Sequence, residues 1–220
     1  MAYISKDTFK FLKDLSKNND RDWFEKNKSR YTKAQDELVT FMEALHPLML
    51  KYDTSLVDVI PKKSVFRIYR DVRFSKDKRP YKTNIGAWLD SGNKDETKAG
   101  YYLHLEPGQS MIAGGAYMPP GPFLKAIRQE IHYNPAPLKK ILKSKNFKNY
   151  FGEIQGERLK NSPRDYEADH PDIELLKLKS FTAVHMVTDE MVCSEGFLNH
   201  CNEAFKSMNP LIGYLNMSLD

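Results

Sequence analysis

The sequence predicts an α+β fold, with a central, mainly antiparallel sheet packed by N- and C-terminal helices. Three observations predict it. Apolar residues recur at helical spacing up to about residue 50 and again after about residue 120. Between about residues 65 and 118, and once more near 180–187, the period falls to two. The run Met118-Pro-Pro-Gly-Pro122 then stops the sheet where the helical period resumes.

Ser5 is placed to cap a first helix carrying Phe9, Leu12 and Leu15 on one side. The run Lys17-Asn-Asn-Asp20 breaks it. A longer helix, capped near Asn19 or Asp20, follows with Trp23, Phe24, Tyr31, Leu38, Phe41, Met42 and Leu45 near helical spacing. Pro47 ends or kinks it. From Phe66 the pattern alternates. Phe66, Ile68, Arg70, Val72 and Phe74 share one strand face, and Arg67, Tyr69, Asp71 and Arg73 share the other. Residues 84–90 alternate again. Residues 101–117 read as two strands around a Pro107-Gly108 turn, and Gly114-Gly115 signals a bulge or a close backbone approach.

After the proline-rich stop, Phe123, Ile127 and Ile131 form a helix face, with Leu124 beside it. Asn134-Pro135 opens a short helix through Leu138, Ile141 and Leu142. Residues 146–170 read as irregular and polar. Residues 172–178 give a helical turn or two, and 180–187 a strand. Thr188 caps a last helix that buries Met191, Leu198, Cys201 and Phe205 and is ended or kinked by Pro210. No repeat or linker interrupts the 220 residues, which suit a single domain over 1–220.

Several function classes lack their signals. No Gly-rich phosphate loop, dinucleotide fingerprint or nucleophile elbow occurs. The six histidines and two cysteines show no zinc-ligand spacing, so neither a metal nor a cofactor is expected. Cys193 and Cys201 stand eight apart, about 12 Å along one helix, too far for a disulfide, and read as reduced thiols of a cytoplasmic protein. No leader segment and no apolar run of membrane-spanning length is seen, so no membrane partner is expected.

The net charge of +5 is local. Residues 67–84, RIYRDVRFSKDKRPYKTN, hold seven Lys or Arg and two Asp, which by itself gives +5. On the apolar strand face Arg70 is partly desolvated and needs a carboxylate, such as Glu25 or Glu37, or a ligand anion. On the other face Asp71 lies between Arg67 and Arg73 and can fix one of them, leaving the other fork for a phosphate. A salt-bridge ladder explains that row equally well. Lys76, Lys78, Arg79 and Lys82 then crowd a short loop, with Tyr81 as a ring able to stack on a base or sugar.

The segment RIYRDVRFSKDKRPYKTNI resembles the signature of the family catalogued as domain of unknown function 2461. FLKDLSKNNDRDWFEKNKSRY, GAYMPPGPFLKAIRQEI and LKNSPRDYEADHPDIELLKLKSF resemble its other blocks, in order and nearly end to end. The resemblance implies one domain and carries over no catalytic residue, substrate or cofactor. Asp165 stands where the family pattern has Gly after Ser-Pro-Arg, which alters the turn expected there.

The leading expectation is an anionic, phosphate-bearing small ligand held by Arg67, Arg70, Arg73, Lys78 and Lys82, with Tyr81, and with Arg164 from the late block. Asp71 and His170 are the candidate proton-transfer groups, with Asp169 placed to orient His170. Single-stranded nucleic acid is the alternative, since Tyr69, Tyr81, Trp88, Tyr101 and Tyr102 accompany the basic stretch. In a third reading the Arg/Asp stretch is internal wiring within an interaction or structural protein. Ligand identity, catalysis and oligomeric state stay open at this level.

Overall fold

A computed structural model describes residues 3–92 and 98–219. Among them, ten α-helices and four strands form an α+β fold whose antiparallel sheet has the order β1 (Ile85–Leu89), β2 (Gly100–Leu105), β3 (Met111–Ala116), β4 (Phe181–Met186). The chain divides into two compact units, each drawn from separated segments. The first comprises Met1–Leu89, Tyr102–Ile112 and Met186–Glu203; the second comprises Asp90–Tyr101, Ala113–His185 and Ala204–Asp220.

In the first unit, α1 (Lys6–Lys17) starts where Ser5 accepts the Thr8 N–H. The Ser5 N–H and both the Ser5 and Thr8 hydroxyls donate to the Glu37 carboxylate at 2.7–3.0 Å, tying the start of α1 to α3 (Lys28–Met49). The single helix expected after Asp20 is two. Asp20 caps α2 (Arg21–Lys26), and Asn27 closes it by donating from Nδ2 to the Trp23 carbonyl. Pro47 does not stop α3, because the helix ends only two residues later and little of the ladder is lost. A 3-10 turn (Thr54–Leu56) and α4 (Pro61–Ser64) lead to the basic segment and then to β1 (Ile85–Leu89). Thr188 caps only a short α9 (Asp189–Val192), in which Val192 is buried and Met191 exposed.

β2 (Gly100–Leu105) and β3 (Met111–Ala116) flank the Pro107-Gly108 turn, with Gly108 at φ +76°. In the second unit, Tyr101 is wholly buried, its hydroxyl accepting from Asn209 Nδ2 on α10 (Phe197–Met217) and its ring edge-on to Phe205. Helices α5 (Gly121–Tyr133), α6 (Pro135–Lys143) and α8 (Ile173–Leu176) appear where the spacing placed them. α7 (Lys145–Phe151) lies almost wholly within residues 146–170, the stretch expected to be irregular. Ser144 caps it, and Phe147 and Phe151, one turn apart, are its buried pair. The Arg164-Asp165 turn forms without positive φ, so Asp is tolerated there. No helix among the described residues is long and apolar enough to cross a membrane.

The Gly114-Gly115 pair is a close approach. A Cβ on Gly115 would lie 2.0 Å from the Phe181 carbonyl oxygen of β4 (Phe181–Met186), and its φ is +119°. Gly115→Ala is therefore expected to cost about 2–4 kcal/mol in urea unfolding, from backbone strain plus displaced strand backbone. Gly121→Ala, where a Cβ meets nothing within 4 Å, should be neutral or slightly stabilising.

Candidate functional site

Residues 66–74 do not form the expected strand. The basic segment instead folds back on itself. Tyr69 and Tyr81 form an isolated antiparallel bridge, with Arg70 N–H donating to the Pro80 carbonyl at 2.9 Å and Lys82 N–H to the Ile68 carbonyl at 2.8 Å. Ile68 is buried, but Phe66 is 45% and Phe74 95% exposed, so the alternating apolar face does not exist. A flat strand would hold the cations in rows, whereas a loop lets both aspartates turn back onto them.

That closure has an internal symmetry. The segment contains Asp-x-Arg twice, at 71–73 and 77–79. In each, the arginine N–H donates to its aspartate Oδ1 (3.2 and 3.0 Å) while Nε and Nη2 form the forked pair, Nη2 to Oδ2 at 2.7 Å in both. Asp77 also receives Arg70 Nη1 at 2.8 Å, and Arg70 donates to the Arg79 carbonyl. Arg70 therefore pairs within its own loop, not with Glu25 or Glu37. Asp71 is taken up by Arg73, with Arg67 acting on it only through space. Arg73 and Arg79, chiefly through these hydrogen bonds, hold the carboxyls of Asp71 and Asp77 below the usual carboxylate range. Lys78 Nζ donates to the Val72 carbonyl.

The loop is anchored by its aromatic residue. Tyr81 is 4% exposed and stacks on Phe24 with centroids 3.9 Å apart. Asn19 pairs with its backbone twice, Nδ2 to the Tyr81 carbonyl and Oδ1 from the Tyr81 N–H. The expected role of Tyr81 as a ring open to a base or sugar is thus replaced by an anchoring one, because its face is covered by Phe24. Tyr69 and Tyr31 extend the same cluster around Phe24.

Two cations at the foot of the loop are placed differently. Like Lys76 and Lys78, Arg67 and Lys82 have no carboxylate partner among the described residues, but they sit at the base beside the Phe66 ring. Lys82 Nζ lies 5.3 Å from the Phe66 ring, and burial, then the charge of Arg67, push its ammonium pKa down. Phe66 lies 6.3 Å from Tyr102, which opens a row missed from the sequence: Tyr102, His104 and Glu106, alternate residues running from β2 into the turn. Thr83, beside Lys82, donates to Glu106 Oε1 at 2.6 Å. The signal was present as Tyr-x-His-x-Glu at strand period, but a search for metal-ligand spacing passes over it.

Arg164 and His170 belong to the second unit. Arg164 is exposed. Both ring nitrogens of His170 are engaged, Nδ1 by the Asp172 N–H at 3.0 Å and Nε2 by His132 Nδ1 at 2.9 Å. Asp169 is exposed and does not orient it; the His170 proton on Nε2 is directed to His132 by the Asp172 backbone instead. A separate cavity of about 430 Å³ in the first unit is lined by Asp7, Thr8, Lys10, Asp14, Arg30 and Lys33, two of whose cations already pair with its acids. Among the described residues no group of three His, Cys, Asp or Glu could hold a metal ion.

The family described as "Conserved hypothetical protein (DUF2461)" matches residues 7–214, and the chain belongs to it. No curated protein and no solved structure matches the chain.

The two clamps predict unequal variants. Asp77→Asn frees both Arg70 and Arg79, whereas Asp71→Asn frees Arg73 alone. Limited trypsin digestion should cut after Arg73, Lys76 or Lys78 about tenfold faster in Asp77→Asn, and only slightly faster in Asp71→Asn. Because the folded-state carboxyls are depressed, the clamps are complete above the ordinary carboxylate range near pH 4 and are lost as pH falls through the lower folded values. Loop protection should therefore be flat from pH 8 to 5 and fall only in stronger acid.

Proposed function

We propose that this member of the family binds an anionic, phosphate-bearing small ligand at the foot of the basic loop, through Arg67 and Lys82. One observation carries the reading. Both loop carboxylates are consumed by Arg70, Arg73 and Arg79, while Arg67 and Lys82 stand as neighbouring cations, the charge of Arg67 adding to burial in pushing the Lys82 ammonium down. An anion between them relieves that repulsion, and the half-buried position of Lys82 strengthens the attraction relative to open water. Arg70, Arg73 and Lys78 then shape the loop and contribute field at longer range. We place the protein in the cytoplasm, where thiols such as the free Cys193 and Cys201 stay reduced.

A second reading rests on Phe74. It is 95% exposed at the loop tip, with the Arg73 guanidinium 5.8 Å from its ring centroid and Lys76 nearby in sequence. An exposed ring among cations suits an unpaired base of single-stranded nucleic acid.

A thermal-shift panel separates the two. It runs from inorganic phosphate and sulfate through nucleotides and sugar phosphates to short oligonucleotides, at low and moderate salt. A compact phosphate compound at 100 times its Kd should contribute about 2.7 kcal/mol, or roughly 5–10 °C in Tm for a chain of this size. The shift should survive added salt and Arg73→Gln, and disappear in the Arg67→Gln/Lys82→Gln double variant. A shift that persists in the double variant, or none with any compact phosphate, overturns the reading. Stabilisation by oligonucleotides alone, lost with salt and with Phe74→Ala, establishes the second.

A further inference from the structure

Tyr102, His104 and Glu106 lie two residues apart in sequence, starting on β2, and their hydrogen bonds run in one direction. Tyr102 Oη is 2.8 Å from His104 Nδ1, and His104 Nε2 is 3.0 Å from Glu106 Oε2. A carboxylate only accepts, so the neutral imidazole carries its proton on Nε2. Its Nδ1 is then a bare acceptor, and the Tyr102 hydroxyl donates to it. Thr83 fills the other Glu106 oxygen and fixes that carboxylate in place. This is the acid-base-hydroxyl order that activates a hydroxyl elsewhere in protein chemistry, with a phenol at its working end.

The surroundings fit such a use. His104 is 8% exposed, so its ring is held, whereas Tyr102 keeps partial access to solvent. Gly86 makes room for the phenol, since a Cβ there would come 3.2 Å from both the Tyr102 hydroxyl and its ring edge. Burial, with the Glu106 charge, pushes the Tyr102 phenol up, so the proton stays on oxygen until His104 takes it. Lys82 and Arg67 stand beyond Phe66, on the segment packed against this row.

We propose that Tyr102 is the working hydroxyl of a proton relay through His104 to Glu106, acting as general base on a hydroxyl of a phosphate ester bound by Arg67 and Lys82. The ligand class rests on the anion-binding reading above; the relay does not. In the step, the ligand O–H bond breaks and its proton passes to the Tyr102 oxygen. The Tyr102 proton passes to His104 Nδ1, the ligand oxygen keeps the electron pair, and the new imidazolium charge faces the Glu106 carboxylate. No oxidant, reductant or metal enters the balance.

The relay is tested without knowing the ligand by labelling the intact protein with an aryl sulfonyl fluoride and locating the adducts by mass spectrometry. The tyrosine oxygen attacks sulfur, the S–F bond breaks, fluoride leaves, and the phenolic proton goes to His104. Tyr102 should label about tenfold or more faster than the exposed Tyr117 and Tyr133, although it is less accessible than either. Its rate should rise with pH well below the phenol range near 10, following a proton lost from the row and not the ionisation of the phenol itself. His104→Gln should reduce it to or below the rate of the exposed tyrosines, and Glu106→Gln should slow it and move the pH midpoint. Nitrogen-15 spectra of the unaltered protein should show His104 as the neutral Nε2–H form, a readout that stands even where a variant does not fold. Labelling of Tyr102 no faster than Tyr117 and Tyr133, or along the phenol ionisation, overturns the relay. Inorganic phosphate should protect Tyr102 and lose that effect in Arg67→Gln/Lys82→Gln. Rapid labelling without protection upholds the relay and overturns the phosphate-ester assignment.

Discussion

Seven cations within eighteen residues repel one another, and the shape of residues 66–84 follows from how two carboxylates divide them. Each aspartate takes the arginine two residues ahead in a forked pair, and Asp77 takes Arg70 as well. The pairs are local in sequence, so they close the loop with little entropy of their own. They also decide which cations stay without a carboxylate among the described residues: Lys76 and Lys78 within the loop, and Arg67 and Lys82 at its base. The electrostatics of the candidate site are therefore what remains after the loop has satisfied itself.

Charge pairing shapes the loop but does not locate it. Location comes from Tyr81, buried on Phe24 and paired through its backbone with the Asn19 side chain. Asn19 acts there as a substitute peptide group, giving the chain one more bridge partner where no strand is available. Burying an aromatic ring contributes on the order of 2–3 kcal/mol, more than part-exposed ion pairs supply. Hydrophobic burial thus sets the position of the loop, and electrostatics sets its conformation. The consequence for function is a rigid base beside Phe66 and Tyr102 and a tip, at Phe74, that reaches into solvent.

Where apolar spacing was long and regular, the sequence could be read directly. The Ser5, Asp20 and Thr188 caps, the Phe123-Ile127-Ile131 face and the strands at 85–89, 100–105, 111–116 and 181–186 are all present. Where two local signals competed, the weaker one was missed. Asn27 splits a helix whose apolar spacing runs straight through it, and Phe147 and Phe151 make a helix inside a polar-looking stretch. Alternation at 66–74 was a false signal. Its even positions include Arg70, and a guanidinium on an apolar face costs more than a loop that pairs it with Asp77.

The sequence by itself determined the α+β class, the four strands of the sheet and the regular helices, the family, and the fact that the whole net charge sits in residues 67–84. These depend on period, caps and composition, which are local. Only the tertiary structure decided which charges cancel and which rings are covered. Whether Asp77 meets Arg70, whether Tyr81 lies on Phe24 and pairs with Asn19, and whether Tyr102, His104, Glu106 and Thr83 join in one hydrogen-bonded row depend on contacts between segments as much as 62 residues apart. Such contacts leave no periodic trace, because the energy that selects them comes from desolvation and pairing in the folded chain.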